Sequence, residues 1–170
     1  SVDTWTFERQ VQEGLVTAAP QLLQGAIDLY RGDLLTGFAV HNAPDFELWL
    51  GQMQERLRDL AVRTLGALAQ HYESVDCTAD AITCLRRMLA LEPWNEEAHF
   101  SLMRVLASAG QRSAALLQYQ ACVESLATEL GVEPSTNTLR LYERIRDERL
   151  PHETVSTSSS PLMEPSTHQT

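Results

Sequence analysis

Histidine, cysteine and an Arg-Gly-Asp tripeptide are the residues of this sequence whose types could do chemistry. His41, His71, His99, His152 and His168 could serve as general bases or metal ligands. None stands at the close spacing that would put two ligands on one helix face, and none accompanies a plausible nucleophile. His71 and His99 could approach each other across packed helices, but a lone pair of that kind reads as packed or surface histidine. The cysteines Cys77, Cys84 and Cys122 are odd in number and lack a Cys-x-x-Cys or Cys/His spacing. They read as buried, reduced thiols, which fits the cytoplasm and neither a disulfide framework nor a metal site. Glycine-rich phosphate loops are missing as well. The sequence therefore implies no catalytic residue, no metal and no cofactor, and argues against an enzyme.

Arg31-Gly32-Asp33 lies within "LYRGDLLTGF". In a secreted, disulfide-held loop it would suggest an adhesion ligand, but the cysteine usage argues against that setting. Gly32 can close a helix in the left-handed conformation and Asp33 can bond nearby amides, so the tripeptide reads as a helix end followed by a turn. Leu34, Leu35 and Phe38 then form a short apolar anchor.

The elements that must position these residues are helical. Of 170 residues, 44% are hydrophobic and only 6% aromatic, with Leu and Ala dominant and no β-branched runs. The formal net charge of -10 repels phosphate backbones. No apolar run approaches the roughly 18 residues that cross a bilayer, so no membrane association is expected.

Asp3 caps a first helix carrying Phe7, Val11 and Leu15, which Gly14 and the Ala18-Ala19-Pro20 break terminate. A second helix from Gln21 to Tyr30 turns Leu22, Leu23, Ala26, Ile27 and Tyr30 to one face, and Gly32 stops it. Asp45 caps the longest helix, whose stripe of Phe46, Trp49, Leu50, Met53, Leu57, Leu60, Ala61, Leu65, Leu68 and Tyr72 reads as core. Pro134 and Ser135 open a last helix with Leu139, Leu141, Tyr142 and Ile145 inward. Its Arg140, Arg144, Arg146 and Arg149 are interleaved with Glu143, Asp147 and Glu148, the pattern of a solvated face. Residues 151–170, rich in Ser, Thr and Pro, read as a disordered linker or tail.

The strongest signal is an internal repeat. Leu68, Tyr72, Ala81, Leu85 and Met88 recur 34 positions later as Leu102, Leu106, Ala115, Tyr119 and Cys122, the tetratricopeptide period. In the first copy, residues 62–95, Ala69 and Ala81 supply the small side chains that a close helix crossing requires, and Pro93 ends the unit. The second copy, residues 96–129, places Met103 at a small position and Ala127 where the proline belongs, so its second helix runs on until Gly131 caps it.

The segments "VDTWTFE", "LYRGDLLTGF", "FELWLGQMQERLRDLAVRTLGALAQHY", "ALEPWNEEAHFSLMRVLASAGQRSAALLQYQ" and "ELGVEPSTNTLRLYERI", in that order, resemble the bacterial transcriptional activator domain of the antibiotic regulatory protein (SARP) family. In that family "SVDCTAD" would be a glycine-bearing turn. The resemblance implies an all-α fold of about seven helices, paired antiparallel as tetratricopeptide-like units in a right-handed array. It assigns residues 1–150 to the activator domain. It also implies a non-enzymatic regulatory role in a multidomain transcriptional activator, with a winged-helix DNA-binding domain immediately before Ser1. Partners would be that domain, RNA polymerase or a signalling domain, with homodimerisation compatible and DNA reached only through the winged helix. The competing reading is a tetratricopeptide adaptor of a signalling ATPase or cyclase with no part in transcription.

The tetratricopeptide register further places Arg63, Gln70 and Glu73, then Glu97, Phe100 and Arg104, on an exposed concave face. There Phe100 could anchor a partner segment and the arginines could pair with its acidic groups. From the charge balance, the isolated chain is expected to leave duplex DNA unshifted in a gel assay at physiological salt; a salt-sensitive micromolar shift would refute this.

Overall fold

The computed structural model describes residues 2–17, 19–30 and 44–148. They form seven helices, α1 (Val2–Thr17), α2 (Pro20–Leu29), α3 (Pro44–Ser74), α4 (Thr78–Leu91), α5 (Glu96–Ser108), α6 (Arg112–Glu129) and α7 (Thr136–Asp147), with no strand among the described residues. The Arg31-Gly32-Asp33 turn, the anchor of Leu34, Leu35 and Phe38, His41, and the tail from Pro151 lie outside the described residues.

Short turns join α1 to α2, α3 to α4 and α5 to α6, so each pair folds back on itself and packs along its length. Successive pairs stack through α2 on α3 and α4 on α5, and α7 closes the array against α5 and α6. One core runs through every pair, from Phe7 and Val11 through Ile27, Leu65, Leu68, Ala81, Leu85, Leu102, Met103 and Ala115 to Leu141 and Ile145. Polar ties hold the first pair in place: Tyr72 Oη donates to Gln24 Oε1 at 3.2 Å, and Arg87 donates to the Ile27 carbonyl at 3.1 Å.

The repeat is reproduced at the level of single bonds. Between α3 and α4, Cys77 N–H bonds the Tyr72 carbonyl at 2.8 Å and Asp76 takes φ +57°. Thirty-four positions on, Gln111 N–H bonds the Leu106 carbonyl at 2.8 Å and Gly110 takes φ +74°. The turn without glycine thus keeps the left-handed geometry, because aspartate is among the few residues that visit this region at modest cost. Gly131 caps α6 with φ +67°, while Val132 N–H reaches back to the Leu126 carbonyl at 3.3 Å. Ser135 is the N-cap of α7, its hydroxyl accepting from Thr138 N–H.

Several local expectations are corrected. Asp3 and Asp45 do not cap their helices but lie within the first turns of α1 and α3. Gly14 does not end α1; it is a buried contact point, where an added Cβ would lie 2.6 Å from Leu23 Cδ2. Leu22 and Leu139, assigned inward, are exposed on the outer sides of α2 and α7. Cys77 is exposed at the start of α4, whereas Cys84 and Cys122 are buried. The stripe of α3 is core only from Leu57 onward, because α4 has 14 residues against 31 in α3 and cannot cover its full length.

Ala81 and Ala115 are fully buried at their pair crossings. Replacing either with Leu is expected to lower the thermal midpoint, at a cost of about 1–3 kcal/mol from overpacking. Variants that melt with the parent would place the crossings elsewhere.

Candidate functional site

The concave-face residues divide into separate environments. Arg63 is exposed and 3.9 Å from Asp59 on its own helix, a loose surface pair. Gln70 is exposed on the rim of a crevice of about 300 Å³, whose other walls are Gly14, Leu15, Pro20, Leu23, Ala67 and His71. Glu73 and Arg104 pair with each other at 2.7 Å and join α3 to α5. Glu97 is exposed and Phe100 half-buried, and both line a crevice of about 260 Å³ between α5 and the start of α7. The first pair and α7 therefore shape the two ends of this face, and an ion pair spans its middle.

The histidines follow the packing logic. His99 is buried, with Nε2 at 2.8 Å from the Pro93 carbonyl and Nδ1 at 2.6 Å from Gln118 Nε2. A carbonyl can only accept and an amide nitrogen can only donate, so the ring is neutral with its proton on Nε2. Burial holds its pKa below the ordinary histidine value. His71 instead lines the crevice by the α1–α2 turn. Among the described residues no three His, Cys, Asp or Glu side chains are grouped to hold a metal. Burial pushes the Cys84 and Cys122 thiols up to about 11, which keeps both protonated and unreactive.

Glu96 governs how α7 is seated. Its carboxylate accepts from Ser135 N–H at 2.7 Å and from the Thr138 hydroxyl at 2.5 Å. Burial raises its pKa, but these hydrogen bonds outweigh it and leave the group below the usual carboxylate range. At the other end of α7, the Arg112 guanidinium donates to the Ile145 and Arg146 carbonyls at 2.8 and 2.6 Å. Acid at the N-terminus and base at the C-terminus both complement the helix dipole.

A second surface lies at the other end of the array. Trp5 is 65% exposed on α1, and Leu48 and Trp49 are 65% and 48% exposed on the part of α3 that α4 leaves uncovered. Trp49 stacks on Phe46 at 5.7 Å, and the Arg9 guanidinium lies over the Trp5 ring at 5.2 Å. Trp5, Glu8, Arg9, Gln12, Arg56 and Leu60 line a crevice of about 240 Å³ between α1 and α3, where Arg56 pairs with Glu8 at 3.3 Å. Periodicity assigned Phe46 and Trp49 to the core; the excess length of α3 over α4 was the sequence signal against it.

The family model of the bacterial transcriptional activator domain matches residues 2–146. Regulatory protein AfsR of Streptomyces coelicolor is 32% identical over 138 residues, covering 81% of this chain and 13% of that protein. Regulatory protein DnrI of Streptomyces peucetius is 28% identical over 152 residues, covering 85% of this chain and 54% of its own length. The chain thus spans from about an eighth to about half of these curated relatives. No described helix is long and apolar enough to cross a membrane.

The ion pair on the concave face can be tested by exchange. Arg104→Glu sets two carboxylates against each other and is expected to lower stability in urea unfolding by about 1 kcal/mol. Adding Glu73→Arg restores opposite charges and most of the loss. Equal losses in the single and double variants would show that the pair contributes nothing.

Proposed function

We propose, because the chain belongs to the bacterial transcriptional activator domain family, that it is the regulatory protein-interaction domain of a longer activator and acts on an adjoining winged-helix DNA-binding domain. Residues 1–150 are then the activator domain and 151–170 a linker, in a cytoplasmic protein. The relatives' names as regulatory proteins support a role in regulation rather than catalysis.

The observation that carries the interaction reading is the exposed aromatic end formed by Trp5, Leu48 and Trp49. Single exposed apolar residues need no explanation, but large ones gathered on neighbouring helices are the usual mark of an interface. Tryptophan and arginine are the residue types that most often dominate binding energy, and here Arg9 lies over Trp5. A net charge of -10 leaves DNA contact to the winged helix. The concave face offers a second, more polar surface for RNA polymerase, a signalling domain or a second copy, through Gln70, Glu97, Phe100 and Arg104.

The test uses the full-length regulator. Trp5→Ala with Trp49→Ala is expected to leave helicity and the melting temperature nearly unchanged, since both rings are largely exposed. It should reduce activation from a target promoter and weaken capture of the winged-helix domain by tenfold or more. Full activation and full capture by the double variant would refute this surface.

A further inference from the structure

The joint of α5, α6 and α7 holds two ionisable groups one turn apart on α5. His99 is buried with both ring nitrogens occupied, and Glu96 is the carboxylate that seats the N-terminus of α7. We propose that this joint is an acid-responsive latch: when His99 takes up a proton at Nδ1, the imidazolium draws the Glu96 carboxylate away from Ser135 and Thr138, and α7 loosens from α5. This goes beyond the interaction reading and does not depend on it.

The chemistry follows from the donor count. Neutral His99 is fully satisfied, with Nε2–H donating to the Pro93 carbonyl and Nδ1 accepting from the Gln118 amide. A proton from solvent at Nδ1 turns that acceptor into a donor facing another donor, which is a lost bond in a buried site. The groups around the ring leave one good destination. On α6 stand Gln118 and Cys122, whose thiol stays neutral. In the α4–α5 turn stand the uncharged Pro93 carbonyl and Glu92, which accepts from the Asn95 amide at 3.0 Å. From α7, Ser135 and Thr138 reach the cluster through Glu96. Glu96, three residues before His99, is the near anion.

The sign is fixed by the geometry of the two groups. Burial disfavours the charged ring, so the closed joint binds the proton less readily than the opened one does. Acid therefore favours opening below the ordinary histidine value of about 6.5. Glu96, held below the usual carboxylate range, stays ionised throughout that window. Opening would widen the crevice of about 260 Å³ already present between Glu97, Phe100 and Asn137.

The experiment is a pH titration of the chain from 7.5 to 5, following backbone amide shifts and hydrogen-exchange protection at Ser135 and Thr138. One inflection below about pH 6.5 is expected, with protection falling at least tenfold after correction for intrinsic exchange. His99→Gln, which can still donate to Pro93 but cannot titrate, should abolish it. Glu96→Gln, which keeps an acceptor for α7 but no charge, should leave the His99 ring titrating while the α7 amides stay silent. The proposal is overturned if these amides show no inflection in the parent or keep it in His99→Gln. An inflection confined to the Gln118 side chain also overturns it, since the amide then turns over and relieves the ring without moving α7.

Discussion

Two helices can lie close along their length only where the side chain at the crossing is small, and the rest of this structure depends on that approach at Ala81 and Ala115. Each alanine lets a long apolar neighbour on the partner helix reach across, so the paired faces interdigitate rather than stand apart. The same approach fixes where each turn must begin. That is why Cys77 bonding to Tyr72 and Gln111 bonding to Leu106 recur with the same 2.8 Å separation 34 positions apart. A pair so formed still has an apolar side left over, and stacking the next pair on it buries that side in turn. At Gly14 the first pair solves the same problem differently, by omitting the side chain where Leu23 comes against the backbone.

An array built this way has to stop. The last helix has no partner of its own, and α7 gains its place from polar ends as much as from Leu141 and Ile145. Glu96 satisfies donors at its N-terminus, and Arg112 satisfies carbonyls at its C-terminus. Those are the groups that a helix leaves unpaired. Both anchors come from the preceding pair, so the end of the array is locked by charge-assisted hydrogen bonds at two points. This arrangement makes the seat of α7 sensitive to the charge state of its surroundings in a way that a purely apolar joint would not be.

Most of the fold was legible in the sequence because its signals were periodic. The 34-residue repeat, Gly131 as a helix end and Ser135 as a helix start are each reproduced in the structure. What the pattern could not tell was which side of a helix is outward where apolar residues cover more than one face. Leu22, Leu139 and Trp49 were assigned inward for that reason and are exposed. The concave-face residues were legible as positions but not as pairs. That Glu73 and Arg104 neutralise each other depends on the spacing of α3 and α5, which no local pattern encodes. His99 was legible as a packed histidine, but its link to α7 runs through Gln118 and Glu96 and needed the fold to be seen.

The uncovered part of α3 is the point at which folding and function meet. A free helix of about a dozen residues is marginal in water because its first turn is costly to form. Residues before Leu57 contribute no fully buried side chain, so packing alone does not explain why they are helical. They continue a hydrogen-bond ladder already nucleated by the buried half, at the lower cost of propagation. Phe46, Leu48 and Trp49 can therefore be held on a helix beyond the partner that stabilises it. The same economy leaves that end among the least protected parts of the fold, since little but the ladder holds it. A surface presented on a propagated helix is ordered enough to be recognised, and a partner that covers its aromatic side chains would supply the burial that the domain itself does not.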